Sequence, residues 1–274
     1  MKTAYIFSQK QDDFYASVRG YLQSNGVWCG PMDKANFTVV LGGDGSVLGA
    51  GRQGVPNPVI VINTGHLGFL TSSAKENYQE TLARFLQGSY TLTKRRTLRV
   101  RVAAFSPTAA PSDYDAVNEV VIAKNQLSKL VKVAVYVSDR DDEWTDPSGF
   151  RLSKAELLSE YRADGLIVST PTGSTAYNLS AGGPIIHPSC ESLVITPICP
   201  QGLTQRPLVI PANMKVRIKS LDDSLYVSVD GQDGCPMHSV VDVNYNSHSM
   251  EIVNPDDSYF QILRKKLGWG VKPV

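Results

Sequence analysis

Apolar residues follow two rhythms along this chain, and the change from one to the other divides it. Thr3 to Ser8 (TAYIFS) predicts a strand, and Phe14, Val18 and Leu22 then recur every four residues up to Gly26, a helix face followed by its stop signal. Phe37 to Leu41 (FTVVL) and Val59 to Asn63 (VIVIN) are continuous apolar runs of the kind covered on both faces in a parallel sheet. The first ends in Gly42-Gly43-Asp44-Gly45; the second runs into Thr64-Gly65-His66-Leu67-Gly68. A helix with Tyr78, Leu82, Phe85 and Leu86 on one face follows, ending at Gly88, so the first ninety or so residues read as an α/β layer.

From about Leu92 the pattern becomes alternating or β-branched: LRVRVAAF, NEVVIAK, LVKVAVYV, PLVIP, KVRIKS, LYVSVD and MEIVN come at short spacing with polar turns between. A sandwich or curled antiparallel sheet is expected there. Phe260, Leu263 and Leu267 return to helical spacing at the end. The expected plan is therefore an α/β N-terminal domain over 1–91, Rossmann-like with a parallel sheet; an all-β, sandwich-like domain over 92–258; and a helical tail over 259–274 that returns to the first domain.

Composition narrows the function classes. Twenty-seven basic against 26 acidic side chains leave a charge of +1, which argues against a protein that coats polyanions. The arginines and lysine at 94, 95, 96, 99 and 101 open the strand region, and alternation predicts that some share a solvated face, a slender basis for nucleic-acid binding. No apolar run approaches the roughly 20 residues that cross a bilayer, and the N-terminus turns polar too early for a secretory signal, so a soluble cytoplasmic protein is expected. Cys29, Cys190, Cys199 and Cys235 form no C-x-x-C pair and are expected as reduced thiols. His187 and Cys190 stand as H-x-x-C without a second ligand pair. The acidic segment Ser138 to Ser153 carries five carboxylates but no calcium-loop spacing, which favours a solvated excursion over a metal site.

Three motifs carry candidate chemistry, once a decoy is removed. Gly49, Gly51 and Gly54 fit G-x-G-x-x-G, but a dinucleotide fingerprint follows its strand directly and this set lies several residues beyond FTVVL. The motif that does follow the strand is Gly42-Gly43-Asp44-Gly45-Ser46. It suits either backbone N–H groups converging on a phosphate or a tight turn in which Asp44 caps the next helix. The second is the run from Asp164 to Pro184, where a strand at Leu166 to Ser169 enters a turn dense in hydroxyls and glycines. Thr175 to Ser180 then opens a helix with Tyr177 available for stacking on a base. The third is Asn118-Glu119 before Val120, Val121 and Ile122: an amide for a base edge and an ionised carboxylate for a ribose diol, or simply a solvated strand end.

With these motifs in this order the chain resembles the NAD kinase family. The resemblance rests on GGDG at Gly42 to Gly45, TGHLGFL at Thr64 to Leu70, NEVV at Asn118 and DGLIVSTPTGSTAYNLSAGGPIIHP at Asp164 to Pro188. It continues through RPLVIP at Arg206, VDGQ ending at Gln232 and KLGWG at Lys266. It implies ATP-dependent phosphorylation of NAD to NADP, with Asp44 as proton acceptor from the adenosine ribose 2′-hydroxyl and Gly42, Gly43 and Gly45 handling phosphates. It also implies Asn118 and Glu119 at the nucleoside and Arg162 and Asp164 lining the dinucleotide site. Thr172, Thr175, Ala176, Tyr177, Asn178 and Ser180 would form an adenine and ribose cradle, with Cys199 and Gln232 touching the dinucleotide.

The resemblance further implies a divalent cation such as Mg2+ carried on ATP, a homodimer or homotetramer with sites near the subunit contact, and neither nucleic acid nor membrane as partner. Ser46 stands where Thr is common, and the acidic excursion looks longer than the family pattern. An aspartate, ordinarily with a pKa near 4, is too weak to deprotonate a sugar hydroxyl outright. In a loose transition state it need only orient the hydroxyl and take the proton late. The rivals are a diacylglycerol-type or sphingoid lipid kinase, which shares the GGDG loop, and a non-catalytic dinucleotide-binding regulator.

Overall fold

The computed structural model describes residues 2–65, 68–104, 110–124, 130–139, 155–222, 225–254 and 258–270; His66 and the acidic segment 140–153 lie outside the described residues. Contacts divide the chain into two units, 1–95 with 250–274, and 96–249.

The first unit alternates strand and helix: β1 (Thr3–Ser8), α1 (Asp13–Ser24), β2 (Trp28–Cys29), β3 (Phe37–Leu41), α2 (Asp44–Arg52), β4 (Val59–Asn63), β5 (Ser73–Ala74) and α3 (Tyr78–Leu86). Its strands pair in parallel in the order β4-β3-β1-β2, with β5 also on β4 and the returning residue Ile252 beside Val59. All five residues of β3 and all five of β4 are buried, as continuous apolar runs require when helices cover both faces. Asp12 caps α1, accepting from the N–H groups of Phe14 and Tyr15 at 3.1 Å each, and Val18 and Leu22 carry that helix into the core beside Leu82 and Phe85 of α3. Gly49 and Gly51 lie inside α2, which removes the fingerprint reading on geometric grounds.

The C-terminal helix, Tyr259–Leu267, starts with a Ser258–Gln261 capping box and ends on left-handed Gly268. Its buried side chains are Ile262 and Leu263, while Phe260 is 65% exposed. The spacing of Phe260, Leu263 and Leu267 therefore mis-set the face: Ile262 wins the core because the helix is rotated toward it.

The second unit is antiparallel throughout. Its strands are β6 (Leu92–Val102, begun in the first unit), β7 (Ser112–Ala116), β8 (Glu119–Lys124), β9 (Val131–Asp139), β10 (Glu156–Ala163), β11 (Gly165–Ser169), β12 (Ser192–Ile198), β13 (Leu208–Pro211), β14 (Met214–Ser220), β15 (Leu225–Val229), β16 (Asp233–Met237) and β17 (Val240–Val253). One sheet runs β10-β9-β14-β17 with β6 joining β17 to β7; the other runs β13-β12-β11-β8-β15-β16. Side chains from both sheets, among them Val133, Val135, Val216, Ile122, Leu166 and Ile195, meet in one apolar cluster, the interior of a sandwich.

Three of the basic residues that open this region are occupied by acids. Arg99 pairs with Asp113 and Asp115 at 3.1 Å each, Arg101 with Asp113 at 2.9 Å and Arg96 with Glu191 at 2.8 Å. The arginine stripe thus serves cross-strand pairing more than an external polyanion. All four cysteines are free.

Candidate functional site

In the first unit the loops after β1, β3 and β4 enclose a cleft of about 330 Å³ lined by Ser8, Lys10, Gly42, Gly43, Ser46 and Lys75, with Thr64 among its further members. The chain passes from β1 to β2 on one side and then to β3 on the other, so β1 and β3 flank the point where the strand order reverses. In an open parallel sheet that is where the carboxyl ends of strands leave a crevice. Lys10 and Lys75 bring two cations to it. Asp12, the carboxylate on the rim, is already engaged as the α1 cap. A pocket with two ammonium groups and the amide-bearing start of a nine-residue helix suits a chain of phosphates. The lysines were legible only as members of loops that follow parallel strands; nothing in their own spacing marks them.

Asp44 is the first residue of α2, and the helix cap is Gly43, without a side-chain bond. The capping role expected as one alternative is therefore not what Asp44 does. Its Oδ2 accepts from the Phe69 N–H at 2.9 Å and its Oδ1 from the Leu70 N–H at 3.0 Å. A Cβ on Gly68 would come within 2.1 Å of Oδ1, so the backbone of Gly68 to Leu70 can lie this close to the carboxylate only because position 68 has no side chain. Both carboxylate oxygens keep further lone pairs. Arg95, whose charge interacts with Asp44, is nine-tenths buried, and its Nε has no hydrogen-bond partner within the protein. Burial lowers its pKa to about 10, with Tyr259 and Asp44 acting in the opposite sense, so it stays cationic at neutral pH. Alternation along the strand gave no sign that this arginine would be turned inward.

In the second unit one end of the β8-β11-β15 group gathers most of the remaining candidates. Asn118 precedes β8, and Glu119 is its first residue and is buried. The expected ionised carboxylate is overturned by that burial: desolvation, and then the Asp230 charge, push Glu119 up to about 8, which keeps it protonated at neutral pH. One of its oxygens, Oε2, has no partner within the protein.

The hydroxyl-rich block turns out to serve largely itself. Thr170 donates its N–H to the Asn118 carbonyl and its hydroxyl to that of Val117, both at 2.8 Å; Ser174 bonds Pro171 and receives the Ile186 N–H. The Asn178 amide, fully buried, donates to Ser174 and Pro184 and accepts from Thr196, so this residue, expected at the nucleotide, is spent on holding the loop. Gly173 sits so close that a Cβ would lie 2.2 Å from the Asn118 carbonyl oxygen. The expected helix from Thr175 to Ser180 is one turn, α4 (Tyr177–Ser180), after a short 3-10 turn at Gly173–Thr175. Thr172 is buried and Thr175 and Ala176 are half-buried, while Tyr177 is 45% exposed and Ser180 is exposed, leaving that aromatic ring open for stacking. Gln232 closes the β15–β16 hairpin through its N–H to the Val229 carbonyl at 3.0 Å, at this same end.

Arg162, Asp164 and Cys199 are elsewhere. Asp164 donates its N–H to the Ile198 carbonyl and the Arg162 carbonyl accepts from Gln201, which sets these exposed residues at the other end of β11. At about 3.3 Å per residue, roughly 20 Å separates Asp164 from Thr170 along that strand.

Comparison with known proteins then places the chain. Residues 25–90 match the family model described as the ATP-NAD kinase N-terminal domain, and residues 152–254 the ATP-NAD kinase C-terminal domain. An NAD kinase of Solibacter usitatus is 37% identical over 262 residues, covering 91% of this chain and 84% of that protein; one of Geobacter sulfurreducens is 38% identical over 243 residues, covering 86% and 79%. In fold the chain is similar to the yeast NADH kinase solved with NADH (TM-score 0.83, 21% identity, 100% of this chain and 89% of that one). The NAD kinase of Archaeoglobus fulgidus solved with ATP is also similar (TM-score 0.76, 22% identity, 98% of each).

Proposed function

The chain belongs to the NAD kinase family, and from that premise we propose which of its residues do the work. The reaction transfers a phosphate from ATP to the 2′-hydroxyl of the adenosine ribose of NAD, making NADP. Asp44 orients that hydroxyl and takes its proton as the bond to phosphorus forms. The observation that carries this assignment is the carboxylate held by the Phe69 and Leu70 amides at 2.9 and 3.0 Å beside a side-chain-free Gly68, a fixed plane with lone pairs to spare.

Gly42 and Gly43, with Lys10 and Lys75, receive the donor's phosphates in the cleft they line. Asn118, Glu119 and Gln232, with Thr172, Thr175, Ala176, Tyr177 and Ser180, hold the nucleoside, Tyr177 by stacking. Buried and protonated, Glu119 is a hydrogen-bond donor as well as an acceptor for a ribose hydroxyl. The divalent cation that the reaction implies would be carried on the phosphate oxygens of ATP and on water. When bound, Mg2+ supplies neutralisation of the phosphate charge.

Arg162, Asp164 and Cys199 stand at the far end of β11 from Asn118, and we infer a homodimer or homotetramer in which they serve the dinucleotide of a second copy. An Asn118→Ala and an Asp164→Ala variant, each weak alone, would then recover activity on mixing. The free cysteines favour a reducing, cytoplasmic setting.

The main test is incubation with NAD, ATP and Mg2+ and detection of the 2′-phosphorylated product. Asp44→Asn lowers turnover by about a hundredfold or more while calorimetric NAD affinity is retained. Parallel loss of both would make Asp44 structural.

A further inference from the structure

Asp230 belongs to the VDGQ motif but has no assigned task, and its side chain does something specific. It sits at the tip of the β15–β16 hairpin in the left-handed region with φ 50, followed by Gly231 at φ 63, the Asp-Gly pairing that a tight hairpin favours. From there its carboxylate reaches more than 110 residues back along the chain. Oδ2 accepts the Val117 N–H at 2.9 Å; Oδ1 accepts the N–H groups of Asn118 at 2.8 Å and Glu119 at 3.2 Å. The Asp230 N–H returns the contact, donating to the Glu119 carbonyl at 3.0 Å. Three consecutive amides that would otherwise face the interior at the start of β8 are thereby satisfied by one buried carboxylate.

The other side of the same turn is held by Thr170, through the Asn118 and Val117 carbonyls. The Asn118–Glu119 backbone is clamped from two directions, and the unpartnered Glu119 Oε2 depends on that backbone for its position. We propose that Asp230 is a positioning residue for nucleoside recognition, acting through the amides of Val117, Asn118 and Glu119 to set the two side chains that meet the substrate nucleoside. This rests on the assignment of Asn118 and Glu119 to NAD.

Asparagine suits the left-handed backbone as well as aspartate does, so Asp230→Asn preserves the hairpin. Its Nδ2, however, must point at one or two of the three amides. The KM for NAD then rises roughly ten- to a hundredfold, because a small displacement of a positioning group is felt at the reacting geometry. The KM for ATP stays within about twofold. Equal change in both constants, or none in that for NAD, overturns the proposal. Asn118→Ala run alongside separates the two claims: if it leaves the KM for NAD unchanged, the assignment of the nucleoside site fails, whereas a rise there with none in Asp230→Asn sinks only the positioning role. Should Asp230→Asn not fold, amide hydrogen exchange on the unaltered protein decides: Val117 to Glu119 are expected among its slow amides, and fast exchange at all three refutes the clamp.

Discussion

Two aspartates, one in each unit, use the same device to different ends. Asp44 accepts two backbone N–H groups and remains half-exposed; Asp230 accepts three and is 6% exposed. A carboxylate saturated by main-chain donors and buried is a strut. One that is oriented by two donors and still meets solvent is open to a substrate, which is the role proposed for Asp44. The surroundings follow suit: the first unit offers cations and glycine amides on loops after parallel strands, while the second spends many of its hydroxyls on its own loop and keeps the exposed Tyr177 ring and the unpartnered Glu119 Oε2 at one end of its strands.

The largest effects separate these roles by glycine substitution. Gly68→Ala would drive a methyl into the Asp44 carboxylate and is expected to lower turnover about a hundredfold with little loss of stability. Gly173→Ala would meet the Asn118 carbonyl, a backbone atom that cannot turn aside, and is expected to cost about 1–3 kcal/mol in denaturant unfolding together with NAD affinity. Unchanged turnover in the first variant would break the comparison.

Next, Tyr177→Ala should weaken NAD by about tenfold in calorimetry, the worth of one stacked base. Replacing both Lys10 and Lys75 with Ala should raise the KM for ATP several-fold, more at low salt, and leave that for NAD in place. If both variants move the same constant, the two units do not divide recognition as assigned.

The smallest effect concerns pH. Glu119 is raised from 4.5 to about 8, so between those values the folded protein keeps a proton that the unfolded chain has released. Stability from this source is full below pH 4.5 and declines as pH rises toward 8. Glu119→Gln should flatten that decline by a few degrees in melting temperature relative to the unaltered protein; parallel profiles would mean the carboxyl is ionised in the fold.

Much of this was readable in advance. FTVVL and VIVIN are parallel strands, GGDG follows the first of them, and LRVRV, EVVIAK, KVRIKS and LYVSV fall on strands. Among the strands that escaped, Ser112–Ala116, Glu156–Ala163 and Asp233–Met237 carry acids, a helix-like ELLSEYRA pattern or Gly and Pro in place of alternation. The first is held by Arg99 and Arg101 and the last by its tight hairpin, neither of which periodicity reports.

What the sequence determined by itself was local: which segments are strand or helix, and which short runs have the chemistry for phosphate and nucleoside. Only the tertiary structure decided what each charged group became. Asp44 finds its amides 25 and 26 residues away and Asp230 finds Glu119 at a separation of 111, while burial turned Arg95 inward and kept Glu119 protonated. Desolvation and through-space charge depend on neighbours brought together by folding, and spacing along a chain carries no record of them.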